Sequence, residues 1–429
     1  MSESFLHYLW QFQYFAKAGL YTTSGEEIIV FHPGYHNTHA GPDFQQARVR
    51  IGELEWIGSV EIHIHASNWH EHHHDTDKAY DTVVLHVVWK DDKPVRRSDG
   101  SLMPTLELKG RIEEQFLLDY KKLVNSPERI PCAASLHKVS ELTKISMLDK
   151  ALATRLETKS VMVRRLLQRN GNNWEETCYQ LLAKNFGFKV NADPFLQLAQ
   201  GLPLKILLKH ADKSIQLEAL LFGQAGFLED EKQKDEYYTI LRREYSLLQQ
   251  KYSLSNNRLH KAQWKFLRLR PANFPTVRLA QLSMLIHEQQ NIFSKIMAAG
   301  SYEELKRILT VKQPEYWRQH YQFAKKSKTE ISALGEMSIN MIIINTIVPL
   351  LVAYGKLKDE QYFVDHALIM LQHVPTETNT ITRQWASLGM KSKTAFDSQA
   401  LLELHHHFCL HHRCLECTIG AALLKPTVR

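Results

Sequence analysis

Long apolar runs, cysteine and sequence repetition are all scarce in this chain. The longest apolar stretch, residues 341–352, is interrupted by Asn345 and is too short to cross a bilayer as a helix, so no membrane span and no membrane partner is expected. The first residues carry no basic segment, and the apolar positions of 5–15 are interleaved with His7, Gln11 and Gln13, unlike a secretory leader. Five cysteines are an odd number for a disulfide framework, and three crowd near the carboxyl end. They suit reduced thiols or metal ligands, and the expected location is cytoplasmic. Without low-complexity tracts or a fixed-period repeat, the sequence argues against disorder and gives no support to a solenoid.

What remains is an ordinary globular composition. The 429 residues are 44% hydrophobic and 23% charged, enough for two or three domains. Lys and Arg total 53 against 46 Asp and Glu, a formal charge of +7 that permits a polyanionic partner such as DNA or RNA without requiring one.

Two periodicities divide the chain. A short helix over 5–14 is followed by strand patterns at 27–32, 47–51, 56–65 and 82–89, with a further strand over 102–108 and a helix over 112–124. From about residue 140, apolar positions recur at three and four, over segments such as 142–168, 174–185, 194–201, 213–223, 236–252 and 277–299. The expected fold class is therefore α+β, with a mixed-sheet domain at 1–125 and a large helical domain at 126–429.

Chemistry concentrates in the first of these. Gly41-Pro42-Asp43-Phe44 opens one strand, Gly58-Ser59-Val60-Glu61-Ile62-His63-Ile64-His65 forms the next, and Thr82-Val83-Val84-Leu85-His86-Val87-Val88 a third. Alternation along a strand puts Glu61, His63 and His65 on one face and Val60, Ile62 and Ile64 on the other. Antiparallel pairing through a turn near Gly52 would bring Asp43 beside Glu61. Two carboxylates so placed, with the Ile62 carbonyl, are expected to hold Mg²⁺ or Mn²⁺, and His63 to orient or deprotonate a water for hydrolysis. His63 also suits Mn²⁺, Fe²⁺ or Zn²⁺.

Two other readings use the same residues. Glu61, His63 and His65 are equally what the wet face of an antiparallel sheet looks like. Alternatively His63, His65, His70, His72, His74 and His86 gather into a transition-metal hydrolase or oxygenase centre, with His72, His74 and Asp75 as candidate second-site ligands.

The order of elements and the motifs Pro42-Asp43 and Glu61-Ile62-His63 resemble the PD-(D/E)XK nuclease superfamily. Its core is a helix, three antiparallel strands, a helix and a fourth strand, with Asp on the second strand and Glu-x-Lys on the third. The resemblance covers roughly the first quarter of the chain and implies a metal-dependent nuclease with Asp43, Glu61 and His63 as catalytic residues. His63 stands where the superfamily has Lys. A non-catalytic nucleic-acid or protein-binding scaffold with a degenerate site is the alternative. The chain as a whole also resembles a bacterial family of unknown function, through the Asp43 and Glu61 motifs, Leu221-Phe222-Gly223-Gln224-Ala225-Gly226, Arg268-Leu269-Arg270-Pro271 and the final cysteines.

Cys409, Cys414 and Cys417 have a C-x4-C-x2-C spacing, and Cys132 is a potential fourth thiolate for Zn²⁺ or an iron–sulfur cluster. Reduced core thiols are the plainer reading of these, and of Cys178. Arg268, Arg270 and Arg278, with Lys265, Trp264 and Phe266 nearby, are candidates for binding substrate phosphate and base. Arg164, Arg165 and Arg169 mark another basic helix. Solvated helix faces and ion pairs explain such residues equally. Asn345, Asp397, Ser398 and Gln399 are expected to cap or hydrogen-bond within the helical core.

Overall fold

A computed structural model describes residues 2–425. They fall into two units, Met1–Met147 with Leu404–Arg429 and Leu148–Glu403. The first is built on a mixed sheet and the second is mostly helical, an α+β chain. This differs from a division at 125/126: residues 126–147 and 404–425 group with the sheet, a tertiary preference that helical periodicity does not record.

In the sheet unit, α1 (Glu3–Phe12) is followed by β1 (Ile28–His32), β2 (Tyr35–His36), β3 (Phe44–Ile51), β4 (Leu54–His65), α2 (Asn68–Glu71), β5 (Val83–Lys90), β6 (Thr105–Glu107) and α3 (Glu114–Val124). The strand order is β1-β3-β4-β5-β6, with β2 on β3. The β1, β3 and β4 strands pair antiparallel, whereas β4–β5 and β5–β6 are parallel. A two-residue turn at Gly52 sets the β3–β4 register, Ile51 opposite Leu54 and Phe44 opposite Val60. A bulge between Phe44 and Ala47 is accommodated by Gln46 in the left-handed region, φ 56°. Gly58 is dictated by β5: a Cβ there would fall 2.4 Å from Val84 Cγ1.

The α1 helix packs on β4 through the buried Phe5, Leu6, Leu9 and Trp10. Strand 102–108 proves shorter than its pattern, because Pro104 immediately precedes β6 and cannot donate to a ladder.

The second unit is held by one continuous apolar core that includes Leu182, Phe186, Leu220, Phe222, Leu282 and Leu351. Its first helix, Glu141–Arg169, begins in the sheet unit and closely follows the periodic segment 142–168. The segment 277–299 is two helices, Pro275–Glu288 and Ile292–Ala298, broken where Asn291 takes a left-handed φ of 56°. The apolar run at 341–352 extends further than its composition indicated. Glu336–Lys358 is continuous, with a π-helical segment Ile343–Ile347, and by length and composition could cross a membrane. In the structure 72% of its apolar window is buried, as expected of a core helix in a globular domain.

The polar residues of this core have the roles expected of them. Asn345 accepts from Lys159 Nζ (2.6 Å) and donates to the Met341 carbonyl (2.9 Å). Asp397 accepts the Lys393 and Thr394 amides at the start of Ala395–Glu403, and Gln399 bridges Arg155 and Glu377.

Candidate metal centre

Central strand β4 is buried on both faces from Ser59 to His63, because α1 covers one side and the β4–β5 connection the other. Val60 and Ile62 fill the first face, so Glu61 (5% exposed) and His63 (1%) must sit under the connection. The register that sets Phe44 opposite Val60 places Asp43 alongside. The Asp43 amide donates to Glu61 Oε2 (3.0 Å), and the Ile62 amide donates to Asp43 Oδ2 (3.0 Å). The two acidic side chains thus meet on one edge of β4. Asp43 Oδ2 also lies 3.2 Å from His7 Nε2, brought in by α1.

The β4–β5 connection supplies the rest. After α2 anchors through buried Trp69, His73 adopts φ 61°, and this turn directs His72 and His74 back over β4. His63 Nε2 is 3.2 Å from His72 Nδ1, while Glu61 Oε1 is 3.3 Å from His74 Nε2 and 3.7 Å from His63 Nε2. Ligand atoms of His63, His72 and His74 all lie within 4.8 Å of one another, and among the described residues this is the group so arranged to hold a metal ion. The His74 ring is clamped by stacking on Tyr80, with centroids 3.7 Å apart, and by an edge contact with Trp69.

Behind His63 stands His86 of β5, fully buried, its Nε2 2.8 Å from His63 Nδ1. The parallel register pairs Glu61 with His86. Burial is the main cause that pushes His63 down to about 2 and His86 to about 3, and neighbouring imidazoles add to it. Both rings are therefore neutral at physiological pH. A proton on His63 Nδ1, donated to His86, leaves the Nε2 lone pair facing Glu61, His72 and His74. Burial raises the Glu61 carboxyl, opposed by its contact with His74.

Three imidazole nitrogens and a carboxylate are donors of the type that hold zinc, iron or manganese, whereas magnesium favours oxygen ligands. Of the histidine-run candidates, His72 and His74 join the group, but Asp75 pairs with His70 (3.4 Å). His65 lies at the exposed end of β4, where its amide donates to Asn68. His7 was legible only as a polar interruption in an apolar helix. Beside His74 opens a cavity of about 170 Å³ lined by Trp69, His74, Tyr80, Asp81, Arg97, Ser98 and Asp99.

Cys132, Cys409, Cys414 and Cys417 are all buried in the sheet unit, while Cys178 lies in the helical core. Arg268 and Arg270 are exposed on the helical unit. Arg278 is not: at 4% exposure its fork donates to Gln281, Asn273 and Ser338 and stacks 4.7 Å over Phe188, which leaves it a core hydrogen-bonding hub with no surface to offer a phosphate. Trp264 is likewise buried, donating to the Ala225 carbonyl.

A family model described as "Protein of unknown function (DUF2851)" matches residues 3–380. No curated protein and no solved structure matches the chain significantly.

Proposed function

The chain belongs to the DUF2851 family of unknown function, and we propose that its sheet unit is a metal-dependent phosphodiesterase acting on DNA or RNA, built on a PD-(D/E)XK-like core. The observation that carries this reading is the convergence of the His63, His72 and His74 ligand atoms within 4.8 Å, with Glu61 Oε1 3.3 Å from His74. The element order supports it too: a helix, then the antiparallel strands β1, β3 and β4 with the two-residue β2 added at the end of β3, Asp43 entering β3 and Glu61-x-His63 on β4, then a crossover to the parallel β5.

His63, His72, His74 and Glu61 are the ligands, with zinc, manganese or iron favoured over magnesium. When bound, such an ion supplies a Lewis acid for a phosphoryl oxygen and acidifies water. The chain's residues do the remaining work. His86 fixes the His63 tautomer, Asp43 aligns the Glu61 strand through the Ile62 amide, and the His7–Asp43 pair is placed to accept a proton at the edge of the site. Arg97, lining the cavity beside His74, offers the cationic fork for a substrate phosphate. Its all-reduced cysteines suit a cytoplasmic enzyme.

The deep burial of Glu61 and His63 favours a second reading, a non-catalytic scaffold in which the same ligands serve only structure. The test is cleavage of single- and double-stranded DNA and RNA with added Mn²⁺, Zn²⁺, Fe²⁺ or Mg²⁺. Turnover that vanishes in Glu61→Gln and His74→Ala, and persists in the exposed control His65→Ala, supports the enzyme. Bound metal without turnover on any of these substrates leaves the scaffold.

A further inference from the structure

The unit that holds the histidines also gathers four cysteines from opposite ends of the helical sequence. Cys132 directly precedes the 3-10 helix Ala133–Lys138, and Cys417 caps the helix Thr418–Leu424; these two helices pack together. Cys409 ends the π-helical segment Leu404–Cys409. The Cys417 amide donates to the Cys414 carbonyl (3.3 Å), closing the turn between them. Gly420 meets that same carbonyl so closely that a Cβ would stand 2.2 Å away, so the helix bearing Cys417 lies directly on the Cys414 backbone.

All four side chains are 7–8% exposed, and all are reduced. Burial is the larger cause opposing ionisation, and each of the six pairings among the four thiols adds repulsion between thiolates. Cys132 and Cys414 are thereby pushed up to about 12. Such a group makes no nucleophile, because the reactive thiolate is suppressed. A cation reverses the sign: thiolates that repel one another become ligands, and their protons leave to solvent. Cys409 ends the π-helical segment, Cys414 and Cys417 flank the turn that follows, and Cys132 is brought towards them by the packing of its helix on Thr418–Leu424.

We propose that Cys132, Cys409, Cys414 and Cys417 together hold an iron–sulfur cluster that fastens the Leu404–Cys409 segment and the helix after it to the sheet unit; among the described residues only the histidine group has its ligand atoms within 4.8 Å of one another, the spacing a single zinc requires and a cluster does not. The centre is independent of the histidine site and uses none of its residues.

The experiment is metal analysis, acid-labile sulfide assay and visible absorption of the full chain purified anaerobically, as wild type, His72→Ala/His74→Ala, Cys132→Ser, Cys417→Ser and Cys178→Ala. The expected result is metal that survives the double histidine substitution and the Cys178 control but is lost from Cys132→Ser and Cys417→Ser. Brown protein with iron and acid-labile sulfide identifies the cluster; colourless protein holding only zinc at these thiols overturns it. Should the cysteine variants not fold, mercurial titration of the histidine double variant still decides, since its metal must leave in step with modification of these thiols. A folded histidine double variant free of iron and sulfide, or full iron retained in the two serine variants, overturns the proposal.

Discussion

Both units bury charged and titratable groups, but they satisfy them in opposite ways. In the helical unit Glu218 is fully buried, and donors surround it: Tyr237 Oη donates to both carboxylate oxygens (2.8 Å each) and Trp317 Nε1 to one (2.8 Å). Arg278 is answered by three side-chain acceptors. On β4 of the sheet unit, His63 Nε2, His72 Nδ1, His74 Nε2 and Glu61 Oε1 turn towards one another, and each imidazole nitrogen donates or accepts according to its tautomer, so the same four atoms can all present lone pairs to a cation once their protons leave. Complementary donors and acceptors are what a structural polar core needs. Converging lone pairs are what a cation needs. The contrast separates buried polarity that holds a fold from buried polarity arranged for a ligand.

The sharpest way to break that contrast is to remove ligands on one side and donors' partners on the other. His72→Ala/His74→Ala is expected to abolish metal binding and any cleavage while leaving the far-ultraviolet circular dichroism intact; retained metal at the histidine site, read with Cys132→Ser in the background, would sink the assignment. Glu218→Ala is expected to do the reverse, lowering stability by roughly 2–4 kcal/mol because Tyr237 and Trp317 lose their acceptor, with metal content unchanged. Urea denaturation at fixed pH measures it. Burial raises Glu218 to about 7 against an ordinary 4.5. A carboxyl raised in the folded state contributes stability that is complete below the ordinary value and is lost as pH rises through about 7. Wild type should therefore lose stability relative to Glu218→Gln across that window, and parallel pH profiles of the two would refute the shift.

A smaller effect tests the tautomer argument. His86 hydrogen-bonds to the site through His63 Nδ1, at 2.8 Å, and losing such a supporting partner typically costs about 10–100-fold in metal affinity. His86→Phe should fall in that range by competition with a chelator, and an unchanged affinity would mean that His63 keeps its orientation without help.

How much of this could be read beforehand depends on the range of the interactions. Glu61 and His63 were legible because a strand's period of two is local, and Asp43 because Gly52 fixes a hairpin register. His72 and His74 were visible as a run, but nothing local distinguished them from Asp75, which turns away to His70; the left-handed His73 makes that selection. His7 depends on α1 packing over β4. Such long-range choices leave no periodic trace. Arg278 misled because charge announces itself in sequence while its burial does not.

The smallest expected effect concerns where substrate meets the protein. Arg97 lines the cavity beside His74 and is partly buried, which holds its guanidinium below the ordinary arginine range. A half-desolvated fork binds phosphate more strongly than an exposed one, because fewer waters compete for it. Arg97→Ala should raise the KM for a nucleic-acid substrate about tenfold, the effect of losing one charge-assisted contact of roughly 1.5 kcal/mol, with kcat little changed. Arg268→Ala and Arg270→Ala, each exposed on the helical unit, should change KM less than Arg97→Ala does, and mainly at low salt, where surface charges act over longer distances. Were the order inverted, with the exposed pair dominating at physiological salt, the substrate path would run over the helical unit and not through the cavity beside His74.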